Sequence, residues 1–587
     1  MENTDFAKIF YDVAKLLELK QENVFKIRAY QRAATNVENL SHSLETLYKE
    51  GNASQKDGGL KALEEIPGIG KNIAGHIEEI IKTKTFKEYE QLKKSFPKGF
   101  VELSQLPGLG PKTALKLYKE LKIDSVEKLK KAALSGELRK LSGFGSKKEE
   151  NVLKGIELKK KHLGRFLLNN AEAHAEYLLE HLNKLPEVEM ILPCGSLRRG
   201  QETVGDLDIL VVSKKPQIIM DSFVKLPAVR RVLAHGETKS SVILENGMQA
   251  DLRVVEANSF GAAAHYFTGS KQHNIHIRQL AQKKGWKVNE YGIFDKNDKQ
   301  IGGATEEDMF EKFGLQYIPP ELREMRGEFE AAAKGEIPKL VERKDIKGDL
   351  HMHTRSSDGQ NTIEEMAEAA KKLGYEYIAI TDHTISTRIA GGLSEKEALK
   401  HIKEIHEANE KIKGIRILSG AEVDIKNDGS LDYSDEILRQ FDWLIASIHA
   451  NFKMPKDLMT ARIIKAMENP YVCALGHPTG RLIGQREAYE VDMEAVLQAC
   501  KKHKKAIEIN SFPDRLDLTD IWCKRAKELG VKIIINTDSH QADQLELIKY
   551  GILTARRGWL AKEDVLNTLP LEKFLKAINS GKPEVTS

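Results

Sequence analysis

The stretch CGSLRRGQETVGDLDILVV, residues 194–212, decides how the first half of the chain is read. Asp206 and Asp208 stand two apart at the start of an apolar run, so a strand here turns both carboxylates to one face. Paired carboxylates repel unless a cation lies between them, and Mg²⁺ takes such oxygen ligands while sharing substrate phosphates. The Gly-flanked loop just before carries Gly195, Ser196, Arg198 and Arg199. Backbone N–H, hydroxyl and guanidinium groups in such a loop can hold a triphosphate. A two-metal site needs a third carboxylate, and MQADLRVVE (248–256), also strand-like, offers Asp251.

Upstream, from residue 5 to about 160, the apolar spacing is helical. LEEIPGIGKNIAGHIEEII (63–81) and LSQLPGLGPKTALKLYKEL (103–121) are internal copies, and LRKLSGFGSKKEENVLKGI (138–156) is a weaker third. Their glycines permit positive φ, and the helices starting at Lys71 and Pro111 present free N–H groups to a phosphate oxygen. Lys71 and Lys112 add charge there. Residues 1–160 hold 30 Lys and Arg against 23 Asp and Glu, +7, while the whole chain carries +4. The pattern predicts tandem helix-hairpin-helix motifs that grip a nucleic-acid backbone through Gly68, Gly70, Lys71, Gly108, Gly110 and Lys112.

Downstream, a polar, helix-prone connector (317–344), expected to be a linker that packs, leads into repeated βα units from about residue 346. GDLHMHTRSSDG (348–359) carries His351, His353 and Asp358. His383, Glu422, His449, His477, Asp538 and His540 each follow or end an apolar strand. On a parallel barrel such strand ends meet on one face. Nine imidazoles and carboxylates converging there call for metal, and the mixture suits Zn, Mn or Fe.

Composition narrows the class. The chain has 587 residues, 41% hydrophobic and 30% charged, which predicts a globular protein of several domains and excludes collagen-like or disordered chains. No apolar run approaches the ~18 residues of a membrane span, and MENTDFAKIFYD has no signal-peptide core, so a cytoplasmic protein without membrane contact is expected. Cys194, Cys473, Cys500 and Cys523 form no C-x-x-C pair and are expected as reduced thiols.

G-S-x-R-R-G at this distance from D-x-D, with YFTGS at 266–270, resembles DNA polymerase family X, the polymerase-beta-like nucleotidyltransferases, over residues 5–320. The resemblance implies that Asp206, Asp208 and Asp251 are catalytic and hold two Mg²⁺ or Mn²⁺ ions. It implies nucleotide contacts from Gly195, Ser196, Arg199, Gly205, Tyr266, Phe267, Gly269, Asn274 and Arg278. Lys271 departs from it, since the family often has an acid there. VFKIRAYQRAATNV (24–37), with Lys26 and Tyr30, resembles the family's lyase domain. The family's Schiff-base lysine falls at His76 and a second lysine at Asn72, so 5′-deoxyribose-phosphate lyase chemistry is not expected.

The strand-end cluster resembles the PHP (polymerase and histidinol phosphatase) family over 346–575. That likeness implies up to three Mn²⁺, Zn²⁺ or Fe²⁺ ions: one on His351, His353, Glu422 and Asp538, a second on Glu422, His449 and His477, a third on Asp358, His383 and His540. Arg481 and Arg515 are candidate phosphate contacts or plain surface residues. The domain order resembles bacterial and archaeal family X enzymes.

The fold class implied is multidomain: an α-helical helix-hairpin-helix region, an α+β nucleotidyltransferase palm and a C-terminal α/β distorted (βα)7 PHP barrel. Expected boundaries are 1–85 lyase-like, 86–160 fingers, 161–255 palm, 256–320 thumb, 321–345 linker and 346–587 PHP. The implied activities are short-gap filling on gapped or nicked duplex with dNTPs, and metal-dependent 3′–5′ exonuclease action with abasic-site cleavage, by a monomer. Two rivals remain at this stage: an untemplated nucleotidyltransferase joined to a metabolic phosphoesterase, and a DNA-binding scaffold with decayed sites.

Overall fold

The computed structural model describes residues 3–20, 22–38, 44–54, 58–66, 68–96, 103, 106, 109, 111–141, 144–146, 148–150, 152–153, 156 and 164–579. Two compact units emerge: Met1–Gly164 with Leu244–Gly247 and Gly484–Arg486, and the remainder. Among the described residues no helix is long and apolar enough to cross a membrane.

The described part of the first unit is helical. Asn3–Leu19 and Val24–Glu38 pack through Phe6, Phe10, Val13 and Leu17 against Tyr30, Ala33 and Val37, apolar positions at helical spacing. The three sequence repeats enter the same core at equivalent places: Leu63, Ile66, Ile69; Leu103, Leu106, Leu109; Leu138, Leu141, Phe144. Each repeat closes the same two backbone bonds, as in Ile66 N–H to Leu63 O and Ile69 N–H to Ile66 O. The third copy, weakest in sequence, makes the same turn through Leu141 to Leu138 and Phe144 to Leu141. Burial of the apolar triplet explains why it recurs in all three copies.

In the second unit a five-stranded sheet runs Met190–Pro193, Asp206–Val212, Gln249–Val255, Lys239–Leu244, Val229–His235. Asp206–Val212 and Gln249–Val255 are parallel, and Asp208 lies opposite Asp251. Next come helices Phe260–Thr268 and Lys271–Lys283 and a small antiparallel sheet. The connector does not dangle: Leu322, Phe329, Ala332, Ile337 and Leu340 share one core with Ile277, Ile293, Met309, Phe310 and Trp559.

Arg323, fully buried, is the polar centre of this region. It donates to Glu306 Oε1 at 2.7 Å, and Arg198 donates to the same carboxylate at 2.9 and 2.5 Å. Burial pushes the Glu306 carboxyl up, but Arg323 and Arg198 outweigh it and hold it at about 2. Glu306→Ala leaves the buried Arg323 and the half-buried Arg198 without their shared acid, so urea unfolding should show a loss of about 3 kcal/mol or more. The ordinary carboxylate value is about 4.3. The stabilisation is therefore complete above that pH and is lost as pH falls toward about 2. An unchanged unfolding midpoint in the variant would remove Glu306 from this role.

The C-terminal part holds seven parallel strands in sequence order: Gly348–Asp349, Tyr377–Ile380, Arg416–Asp424, Trp443–Ser447, Ala474–Leu475, Ala506–Asn510 and Ile533–Asn536. A single parallel bridge between Met352 and Ser539, just beyond the first and last strands, nearly closes the barrel. Strand alternation splits the apolar residues into two clusters. Tyr377, Ala379, Leu418, Trp443, Ile445, Ala474 and Ile534 gather with Phe574 of the C-terminal helix Leu571–Asn579, while Ile378, Ile380, Leu444 and Ala446 pack with the surrounding helices. The Phe574 ring stacks on Tyr377, at the strand starts, 4.5 Å between centroids. The strand ends opposite are left for polar groups.

Candidate active sites

Asp206, Asp208, Gly195, Ser196, Arg199, Tyr266, Phe267, Gly269, Asn274 and Arg278 line one cavity of about 670 Å³. The expected loop at Gly195 is a helical turn, Gly195–Arg198. Gly195 has φ +64°, and a Cβ there would stand 2.4 Å from Asp208 Oδ2, so only glycine brings the backbone this close to the carboxylate. Burial, then the Asp206 and Asp251 charges, push Asp208 up to about 7. Three crowded acids of this kind suit divalent cations. Asp251 is oriented by Gln249 at 2.9 Å and faced by Lys239 at 3.5 Å.

Three expected residues stand apart from the cavity: Asp251, which lies opposite Asp208 on the neighbouring strand, Gly205 and Arg198. Gly205 does not line it, and a Cβ there would meet Arg165 Nη1 at 3.3 Å. Arg198, read with Arg199 as a triphosphate contact, is instead spent on Glu306 and Thr268. Arg165, Gln201, Thr268 and Lys271 line the cavity without having been singled out as contacts. Asn274 donates to the Tyr266 carbonyl at 2.7 Å, which ties the helix Lys271–Lys283 to the Tyr266-Phe267 turn.

At the barrel's strand ends all nine expected groups converge. His353, Asp358, His383 and His540 form one set within metal-holding reach, His351, His353 and Asp538 a second, and His383, Glu422 and His449 a third. Glu422 links the last two, 3.4 Å from His351 and 3.1 Å from His449. His477 is bonded to Glu422 at 2.8 Å. His351 Nε2, His353 Nδ1 and Glu422 Oε2 are buried without a hydrogen-bond partner, atoms that a cation could satisfy. His383 Nδ1 and Glu422 Oε2 approach to 2.8 Å, yet their angles form no hydrogen bond. Asp538 (φ +55°) and His477 (φ +24°) adopt left-handed backbone, strain held where the cluster needs those side chains.

The charges are strongly coupled. Burial lowers His449, but Glu422 and Asp424 lift it to about 10, and burial is likewise outweighed at His540 by Asp358, to about 9. Burial and the neighbouring imidazoles of His540 and His383 drop His353 to about 4. Cations binding here would displace protons.

An outer layer escaped the sequence reading. Glu508 accepts from His351 Nδ1 at 2.7 Å and from the His477 N–H at 2.7 Å. Asp424 lies 3.2 Å from His449 Nδ1, and Asn510 donates to Asp538 at 3.0 Å. Such partners fix tautomer and ring orientation. The available signal was a polar residue inside an apolar strand, as Glu508 is in KAIEIN. Arg481 is spent on the Arg515 and Leu516 carbonyls and on Glu202, so it is structural. Arg515 faces Asp538 Oδ2 at 3.8 Å, at the edge of the cluster.

In the helical unit, Gly68 has φ +75° and Gly70 caps the 13-residue helix Lys71–Thr83, whose exposed Lys71 stands at the start. Gly108, Gly110 and the side chain of Lys112 lie outside the described residues. His76 stacks on Phe86 at 4.3 Å and meets Tyr30 OH at 3.0 Å, while Lys26 is paired with Glu88 at 2.7 Å. Borohydride treatment with a 5′-deoxyribose-phosphate end should therefore trap almost no covalent adduct. Efficient trapping would show that a lysine such as Lys71 or Lys82 does what imidazole cannot.

Family models match in the expected order: a helix-hairpin-helix domain (1–86), a SAM-like helix-hairpin-helix tandem (100–159), DNA polymerase beta palm (168–276), DNA polymerase beta thumb (263–324) and PHP domain (349–512). The chain is 39% identical over 582 residues to the DNA polymerase/3′-5′ exonuclease PolX of Bacillus subtilis (strain 168), covering 98% of this chain and 100% of that one. A probable phosphatase of Thermoanaerobacter sp. (strain X514) is 36% identical over 231 residues, 38% of this chain and 89% of its own. Among solved structures, Leishmania infantum polymerase beta in a ternary P/T complex matches at 26% identity and TM-score 0.26, over 39% of this chain and 98% of that one. With its palm, thumb and PHP parts in one continuous match, the chain belongs to the PolX family, the family X DNA polymerases that carry a C-terminal PHP domain.

Proposed function

We propose that this chain fills short gaps in duplex DNA at the Asp206, Asp208 and Asp251 site and removes 3′-terminal nucleotides, with cleavage at abasic sites, at the barrel cluster. The observation that carries this is the presence of two separate cation-type sites on one chain, one opening into a nucleotide-sized cavity and one ringed by imidazoles. Residues 1–85 and 86–160 hold the DNA backbone, 161–255 and 256–320 select the nucleotide, 321–345 connects and 346–587 hydrolyses.

Asp206, Asp208 and Asp251 would hold two Mg²⁺ or Mn²⁺ ions, and the nine barrel groups up to three Mn²⁺, Zn²⁺ or Fe²⁺ ions. When bound, such cations lower the pKa of an attacking oxygen and neutralise phosphate charge. The chain's own groups do the positioning. The Gly195–Arg198 turn offers N–H groups and the Ser196 hydroxyl to a triphosphate, and Arg199 supplies the fixed positive charge. Tyr266, Phe267 and Gly269 lie against the sugar, with Asn274 and Arg278 toward the nascent pair. In the barrel Arg515 holds the phosphate.

The test is a one-nucleotide-gapped duplex with a 5′-labelled primer. With dNTPs and Mg²⁺ the primer should lengthen by one, and with Mn²⁺ alone it should shorten. DNA affinity should fall steeply with salt, because phosphate contacts release counterions. A protein that extends single-stranded ends without a template, or that hydrolyses only small phosphate esters, would overturn the reading.

A further inference from the structure

The charge assigned to the incoming triphosphate is held from the barrel side. Arg199 Nε donates to Glu324 Oε1 at 2.9 Å, and its Nη1 donates to the Thr268 carbonyl at 2.5 Å. The same Glu324 oxygen accepts from Gln201 at 2.5 Å and from Arg557 Nη1 at 3.0 Å. Arg557 also donates to the Arg199 carbonyl at 2.8 Å, so it holds both the backbone and the acid partner of Arg199. Its Nη2 reaches Asp520 at 2.8 Å, and Asp520 in turn receives Arg326 at 2.8 Å.

Arg557 ends the barrel helix Ile548–Arg557 and is only 4% exposed. One turn earlier on that helix, Leu553 abuts Gly200, which has φ +63° and whose added Cβ would stand 3.3 Å from the Leu553 Cβ. The turn after Arg199 is thus seated on the barrel by close packing as well as by charge. Three arginines and two acids form the network, one net positive charge. Without Arg557 that surplus disappears, and Glu324 is left to cancel Arg199.

We propose that Arg557 is a positioning residue for nucleotide insertion: through Glu324 and the Arg199 carbonyl it holds Arg199 at the triphosphate subsite, so the barrel half sets the affinity of the other half for incoming nucleotide. This rests on the reading of the cavity as the nucleotide site. Arg557 touches neither the nucleotide cavity nor the barrel's metal cluster.

The experiment is a double-mutant cycle on the full chain, reading KM and kcat for dNTP in gap filling alongside nuclease rate. Arg199→Ala alone should raise KM for dNTP at least about tenfold; no rise would overturn the cavity reading and this proposal together. Arg557→Ala should raise KM by about tenfold with kcat and the nuclease near wild type, and should add nothing in the Arg199→Ala background. Arg557→Lys, which keeps the charge but not the fork, should recover part of the loss, and it replaces the alanine variant in the cycle if that variant loses its nuclease. An Arg199→Ala effect with no Arg557 effect, or an Arg557 effect of equal size in both backgrounds, would overturn the proposal while sparing the cavity reading.

Discussion

Asp208→Ala should lower nucleotide insertion by at least about a thousandfold, some 4 kcal/mol of transition-state stabilisation, while DNA binding and the nuclease stay near wild type. Asp208 is the acid most dependent on a cation. It lies opposite Asp251 across a parallel strand pair, two residues from Asp206, and Gly195 presses its backbone against it. Burial and those two neighbours already lift it to about 7, so it cannot remain charged cheaply on its own. Its removal would take away a ligand for the cations and none of the groups proposed to hold the DNA backbone. The measurement is single-nucleotide insertion under saturating DNA. Insertion within tenfold of wild type would mean the three-carboxylate site is not where the chemistry occurs.

His353→Ala should do the reverse, cutting 3′-end removal by about a thousandfold and leaving insertion intact. His353 belongs to two of the three ligand groupings, and its Nε2 lies 3.0 Å from Asp538. No other imidazole in the cluster is shared between those two sets. The two reactions should also differ in metal. Imidazole-rich sites favour transition metals, whereas carboxylates next to phosphates suit Mg²⁺. Mg²⁺ alone should support insertion, and the nuclease should need Mn²⁺ or a similar ion. A His353→Ala protein that shortens 3′ ends at the wild-type rate would assign the cluster to another substrate.

The candidate site residues were readable because the backbone repeats simple periods. An i, i+2 spacing on a strand fixes a shared face, which placed Asp206 beside Asp208. A parallel barrel gathers strand ends, which placed nine groups from His351 to His540 together. The residues that hold those groups were not readable, because their partners lie far off in sequence. Glu508 supports His351 across 157 residues, and Arg557 reaches Glu324 across 233. Each looks alone like an ordinary charged residue. The connector packs, as expected of it, but its partners were not readable: Phe329 and Ile337 share a core with Phe310 and with Trp559, the latter far off in sequence. The two arginines after Ser196 are adjacent in sequence but bonded to different acids, Arg198 to Glu306 and Arg199 to Glu324. No spacing rule separates them.

The most direct test that one chain carries two independent sites is a paired reading of Asp208→Ala and His353→Ala on the same 5′-labelled, one-nucleotide-gapped duplex with dNTPs, Mg²⁺ and Mn²⁺. The expected result is reciprocal: Asp208→Ala only shortens the primer strand, and His353→Ala only lengthens it. A single substitution that abolishes both reactions, or a pair in which neither reaction is lost, would contradict it.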